Sequence, residues 1–326
     1  MGCGRRLGHI ARQLHSGTTD RAAGPLAAAP GAAADGTSTA PTATVSPDGQ
    51  LSEQTLEDYV RDGFAVIDGL IPEPVLAAAE AATWDLMAGV APQVEPPRDP
   101  RTLVRGDCES WVEGMWAGLA VNAAINAAIT PGFEYAAQQL ISAMHAADPA
   151  RPPHTSGTPG AVPAERMPFL YTFPQKQPPA ADSWAFPPEG HVDVSLITLD
   201  RMMGPDGPLI RPGERPLVVT IQTIVYLTTA DGEQGGGATV VFPRSHRKLR
   251  EMHSDMWSAA WEQAEPVDQL KILEPISRAA GTVSREIKPL EVLPKRGRVV
   301  FYDTLCAHSG SANVQTTPRL AFAQKW

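Results

Sequence analysis

The sequence predicts a mainly β protein with flanking helices, in which a two-sheet jelly-roll barrel follows a helical lead-in. Two observations carry this. β-branched runs crowd the second half of the chain, divided by turn signals such as Asp231-Gly232 and Gly235-Gly236-Gly237. The helical stretches read from the sequence lie before about residue 147, and beyond His191 the pattern becomes β. Strands in series after leading helices are the pattern of a sandwich or barrel with a helical wrap.

Residues 1–50 read as a segment apart. From Ala22 to Pro47 the chain is mostly Ala, Gly, Pro, Thr and Ser, too poor in large apolar residues to offset its ordering entropy, and is expected to be disordered. Ahead of it Arg5, Arg6 and Arg12 alternate with Leu7, Ile10 and Leu14, and no acid precedes Asp20. That composition suits a mitochondrial or plastid transit peptide and equally an unstructured tail of a cytoplasmic protein. Residues 51–326 are expected to form a single domain.

Its elements follow in order. Ser52 caps a first helix, Leu51 and Leu56 can staple its start, and Gly63 ends it. Phe64–Asp68 is a short strand. Pro72 or Pro74 opens a second helix carrying Leu76, Trp84 and Leu86. Helical pattern returns over 117–147, broken near Pro131. Two Pro-rich connections, about 148–164 and 174–189, have the length of lids or binding loops. The predicted strands are Leu217–Leu227, Ala238–Phe242, Arg298–Tyr302 and Arg319–Ala323.

Composition narrows the function. The formal net charge of −9 gives little support to nucleic-acid binding. No apolar run approaches the roughly 20 residues a membrane-spanning helix needs. Cys3, Cys108 and Cys306 are too few and too scattered for a disulfide framework or a structural zinc site.

The chemistry centres on Gly190-His191-Val192-Asp193. In a strand, His191 and Asp193 project from one face, two residues apart, as two ligands of one metal must. Far downstream, the predicted strand at Arg298–Tyr302 leads into His308. Two imidazoles and one carboxylate, with coordination positions left open, suit ferrous iron in a non-haem oxygenase. Arg319 stands eleven residues beyond His308 at the head of the last strand. A guanidinium can grip the distal carboxylate of a metal-bound 2-oxoglutarate through paired charge-assisted bonds. Arg319, Ala321 and Ala323 share a strand face, which either leaves room for a ligand or packs closely against a neighbour.

These residues resemble the phytanoyl-CoA dioxygenase family of Fe(II)/2-oxoglutarate-dependent oxygenases. The resemblance opens at Leu51–Leu70 and resumes at His191-Val192-Asp193. It continues through Gly235–His246 and closes at His308–Arg319, while 90–185 matches poorly. It implies a double-stranded β-helix of the cupin-like kind, iron at His191, Asp193 and His308, and Arg319 on 2-oxoglutarate. It also implies Gln222 against the co-substrate, with Ser309 or Ser311 adding a hydroxyl. The implied reaction consumes O₂ and 2-oxoglutarate, oxidises a small-molecule substrate and releases succinate and CO₂. Because Asp193 is present, hydroxylation fits better than halogenation. Two features depart from the family: Gly190 stands where a Trp or Tyr is usual, and the stretch from Met203 to Gly213 is long.

Other residues have plainer readings. His246 and His253 are expected to be structural, and His145 and His154 solvated. Gly235–Gly237 is a turn without the Lys-Ser/Thr of a phosphate loop. Trp184 and Phe186 either line the substrate mouth or anchor a loop. Two rival functions stand beside the oxygenase: a non-catalytic jelly-roll binding protein, and a cupin-like isomerase or dioxygenase that needs no 2-oxoglutarate.

Overall fold

A computed structural model describes residues 40–90, 101, 114–117, 123–151, 168–172, 174, 189–193, 203–204, 207–208, 220–232 and 235–326. The Arg-bearing N-terminus, most of both Pro-rich connections, His154, Trp184, Phe186, Cys3 and Cys108 lie outside them.

The strands in chain order are β1 Thr42–Thr44, β2 Phe64–Asp68, β3 Gly114–Ala117, β4 Pro168–Thr172, β5 Met203–Gly204, β6 Gly207–Pro208 and β7 Ile221–Tyr226. They continue with β8 Thr239–Val241, β9 Leu290–Val292, β10 Val299–Asp303, β11 His308–Gly310 and β12 Arg319–Lys325. The helices are α1 Glu53–Asp62, α2 Glu73–Val90, α3 Ala123–Asn126, α4 Pro131–Ala147, α5 Ser245–Met252, α6 Ala259–Gln263 and α7 Pro266–Arg285.

Seven strands form one sheet in the order β1-β2-β10-β7-β12-β4-β3, three form a second in the order β11-β8-β9, and β5 pairs with β6. Alternation along the central strands sorts their side chains into two cores. Ile221 and Val225, Val299 and Phe301, and Leu320 and Phe322 pack with Tyr59, Leu76, Phe133 and Leu140 of the leading helices. Ile224 and Tyr226, Val300 and Tyr302, and Ala321 and Ala323 meet Val241 and Val292 of the small sheet. That sheet's other side, through Val240, packs with Leu249, Ile276 and Val283 on α5 and α7. The result is helix, sheet, sheet, helix. Burial on both faces explains why β7 reads as an unbroken β-branched run rather than an alternating one.

Local signals placed the first helix well. Ser52 accepts from Thr55 N at 3.1 Å, and Gly63 closes α1 in the left-handed region at φ 84°. Leu51 is buried and Leu56 packs against the same core.

Four expectations need correction. The chain beyond His191 is not all β: α5, α6 and α7 lie between Ser245 and Arg285 and cover the small sheet. Order does not wait for Leu51: Thr42–Thr44 runs parallel to β2, with Thr42 opposite Val66. A backbone ladder along an open sheet edge asks little of side chains, so composition could not show it. The helical stretch breaks near Pro131 as expected, with Pro131 opening α4 under the Thr130 cap, but it does not start at Ala117, which belongs to a strand. The described strands form two facing sheets, and no ladder among the described residues closes them into a barrel.

Candidate metal centre

His191 is not in a strand. It forms a single antiparallel bridge with His308 on the free edge of β11, and the backbone bonds are reciprocal, 2.8 Å from His191 N to His308 O and 2.9 Å back. Extended alternation nevertheless persists over three residues. Val192 is buried in the core under α5 and α7, while His191 and Asp193 turn the other way.

There the three predicted ligands converge. One donor atom from each of His191, Asp193 and His308 lies within 4.8 Å of the others. His191 Nε2 is 3.9 Å from Asp193 Oδ1, and His308 Nε2 is 3.9 Å from Asp193 Oδ2. The His308 side chain is 8% exposed and that of His191 60%, so the site opens on the His191 side. His308 Nδ1 sits 3.1 Å from the carbonyl of Cys306, which can only accept; the ring must donate there. Nε2 is thereby left as the lone-pair nitrogen, the tautomer a metal ligand requires. Tyr302 lies against the same ring, with centroids 4.4 Å apart.

Gly190 explains how β11 and this segment come so close. A Cβ built there would lie 2.7 Å from the Phe242 ring and 3.1 Å from His308 N. The aromatic residue usual at this place in the resembled family has no room here. Gly190 N donates to Ser284 Oγ on α7 at 2.8 Å, and Arg285 pairs with Glu189, so α7 moors the segment that carries His191.

Arg319 enters the space between the sheets on the face of Ala321 and Ala323, which join the inter-sheet core. Its Nε donates to Gly237 O and its Nη2 to Thr172 Oγ1, both at 2.7 Å, while the buried Nη1 has no partner among the described residues. Burial pushes its pKa down, yet a guanidinium stays charged at any ordinary pH. Gly237 has to be glycine. Its φ is +67°, and a Cβ would come 2.9 Å from the Thr172 side chain. The glycine turn read from the sequence therefore also holds this arginine.

The remaining predicted residues fall differently. Gln222 is buried on the inter-sheet face, but its Nε2 donates to the Asp193 carbonyl at 3.1 Å, tying it to the metal ligand. Ser309 pairs with Val240 and so lies on the helix side of β11, opposite His308; neighbours on a strand point to opposite faces. Ser311 Oγ accepts from Ala238 N at 2.8 Å, on the far side of the small sheet. Neither hydroxyl faces the triad. His246 is structural as expected, bonded to Val60 O and packed on Gly63. His145 is half-buried rather than solvated, 2.6 Å from Arg151 O. Tyr302, Ser284 and Thr172 were missed. Tyr302 alone had a readable signal, since it shares a face with Val300 on the strand leading to His308.

No protein-family model and no curated protein matches the chain. Among solved structures, it is similar to the non-haem α-ketoglutarate-dependent carbocyclase SnoK from nogalamycin biosynthesis. That overlay has 15% identity and a TM-score of 0.47, covering 89% of this chain and 86% of that one. EctD from S. alaskensis with bound Fe gives 13% identity, coverage of 86% and 76%, and a TM-score of 0.46. The epimerase SnoN, also α-ketoglutarate dependent, gives 14%, 83% and 80%, and 0.44. At these TM-scores the overlays carry no weight for activity.

Proposed function

We infer that the chain is a non-haem Fe(II)/2-oxoglutarate-dependent oxygenase, built on a double-stranded β-helix, that oxidises a small organic substrate. One observation carries the reading: a two-histidine, one-carboxylate triad borders the same inter-sheet space as an arginine whose buried Nη1 has no hydrogen-bond partner among the described residues. A donor set of two imidazoles and a carboxylate fits ferrous iron with open positions. A buried donor without a partner costs about 1–3 kcal/mol, and a carboxylate would relieve it. Bound iron would supply O₂-dependent oxidation of a C–H bond, coupled to decarboxylation of 2-oxoglutarate to succinate.

The protein's own residues do the rest. His308 is locked in one tautomer by Cys306 O, and His191 is held beside it by backbone bonds. Arg319 spends Nε and Nη2 on Gly237 and Thr172, which aims Nη1 into the pocket for the distal carboxylate of 2-oxoglutarate. Ala321 and Ala323 keep the floor between low. Tyr226, fixed by Thr239 and the Val292 carbonyl, closes the inner end.

The test is succinate formation from 2-oxoglutarate with Fe(II), O₂ and a substrate library. Wild type is expected to form succinate with at least one substrate, and His191→Ala none. Equal turnover by the two proteins contradicts the assignment. Oxygen uptake without succinate returns the reading to a 2-oxoglutarate-independent dioxygenase, and absence of any 2-oxoglutarate binding to a binding protein.

A further inference from the structure

Asp193 is the single carboxylate of the triad, and the bridge that holds its segment to β11 ends at His191. The large sheet supplies hydrogen bonds to the Asp193 backbone. Gln222 donates from Nε2 to the Asp193 carbonyl at 3.1 Å, with Thr304 Oγ1 a weaker 3.5 Å from the same oxygen. Gln222 is 1% exposed, so the donor side of this bond is buried. Directly opposite Gln222 in the register of β7 and β10 stands Tyr302, on the same face. Its ring backs His308, with centroids 4.4 Å apart. His308 Nε2 lies 3.9 Å from Asp193 Oδ2, so Tyr302 and the Asp193 carboxylate border the same imidazole.

We propose that Gln222 and Tyr302 are positioning residues for the metal ligand Asp193. Gln222 pins its backbone through the carbonyl, and Tyr302 presents a hydroxyl donor to its carboxylate. The pair thus sets metal affinity and ligand geometry, not co-substrate affinity. The proposal rests on the reading of the triad as a metal site. Partners that hydrogen-bond a ligating carboxylate fix its orientation, and losing one typically weakens metal binding about 10–100-fold. A residue that only fills space at Gln222 would be replaced by methionine at no cost to the metal.

The experiment uses the full chain with Co(II), whose visible spectrum reports ligand geometry without turnover. Co(II) dissociation constants and spectra are measured for wild type, Gln222→Met, Tyr302→Phe and His191→Ala, with metal-free unfolding midpoints alongside. Binding of 2-oxoglutarate is then measured on the metal-saturated proteins. Gln222→Met and Tyr302→Phe are each expected to bind Co(II) roughly 10–100-fold more weakly, with altered spectra and 2-oxoglutarate affinity close to wild type. Unchanged Co(II) affinity and spectra in both variants overturn the proposal while leaving the metal site standing. A loss confined to 2-oxoglutarate binding also overturns it and returns Gln222 to the co-substrate. No Co(II) binding by wild type overturns the metal reading itself, and this proposal with it. Tyr302→Phe, which removes one oxygen, decides alone if Gln222→Met does not fold.

Discussion

His191 and His308 exchange a reciprocal pair of backbone hydrogen bonds, 2.8 and 2.9 Å long, so two candidate ligands are held together through their main chain. That pairing does not depend on either side chain. Replacing either imidazole leaves the bridge intact. His191→Ala should unfold within a few degrees of wild type when both are metal-free. Wild type should then gain about 2.7 kcal/mol at a metal concentration 100 times its Kd, and the variant little. Thermal unfolding with and without metal reads both.

Arg319 should govern the co-substrate and leave the metal alone. Charge-assisted hydrogen bonds contribute about 1.5–3 kcal/mol, so Arg319→Ala should weaken 2-oxoglutarate binding roughly 10–100-fold. Lysine should not restore it, because one ammonium cannot serve Gly237, Thr172 and a ligand together. Calorimetric titration of the metal-loaded protein tests this; metal affinity lost in parallel would show instead that the fold had shifted.

Gly190 should resist even one methyl. With a Cβ 2.7 Å from the Phe242 ring, Gly190→Ala should cost about 1–3 kcal/mol of stability by overpacking. Trimming the ring with Phe242→Leu should recover part of that loss in the double variant. Urea unfolding of the four proteins completes the cycle, and additive losses would refute the contact.

A second coupling lies beneath the site. Arg151 and Asp303 form an ion pair with side chains 6% and 1% exposed, Arg151 lies over Trp257, and Asp303 also accepts from Leu305 N on the loop leading to His308. Removing one partner of a buried pair strands the other, so Arg151→Ala should destabilise by about 3–5 kcal/mol. A loss below about 1 kcal/mol in urea unfolding, the range of exposed pairs, would show that the pair is solvated.

Acid should unfold the protein through its paired carboxylates. Burial works against the charge of Asp68, but the bonds and charges of Arg298 and Lys295 outweigh it and hold its pKa below the usual 3.8. Asp148, between Arg250 and Arg151, is lowered for the same reason. A depressed folded pKa contributes stability that is full above the unfolded value and is lost as pH falls through the folded one. Asp68→Asn should therefore lose less stability than wild type between about pH 4 and lower values. Denaturant midpoints over that range decide; equal slopes would contradict the assignment.

Much of this was legible in the sequence because the signals are local. Ser52 and Gly63 mark α1 by their own backbone chemistry. Alternation of Arg319 with two alanines gave the face on which Arg319 lies. His191 and Asp193 sit on one side even outside a strand, because only Val192 had to be buried between them. What stayed hidden depends on partners distant in sequence. The β1 ladder is a backbone interaction with no side-chain code. The register that turns Ser309 towards Val240 is set by β8, seventy residues upstream. Gln222 reads as any polar residue in a buried strand until Asp193 is folded against it.

The central claim is that His191, Asp193 and His308 hold iron within reach of a 2-oxoglutarate anchored by Arg319. Anaerobic titration of the Fe(II)-loaded protein with 2-oxoglutarate, followed by the weak visible charge-transfer band of the chelate, tests it most directly. A band that saturates in wild type, is lost in His308→Ala and needs far more 2-oxoglutarate in Arg319→Ala is the predicted result. A wild-type protein that develops no band, or a His308→Ala variant that develops the same one, would contradict it.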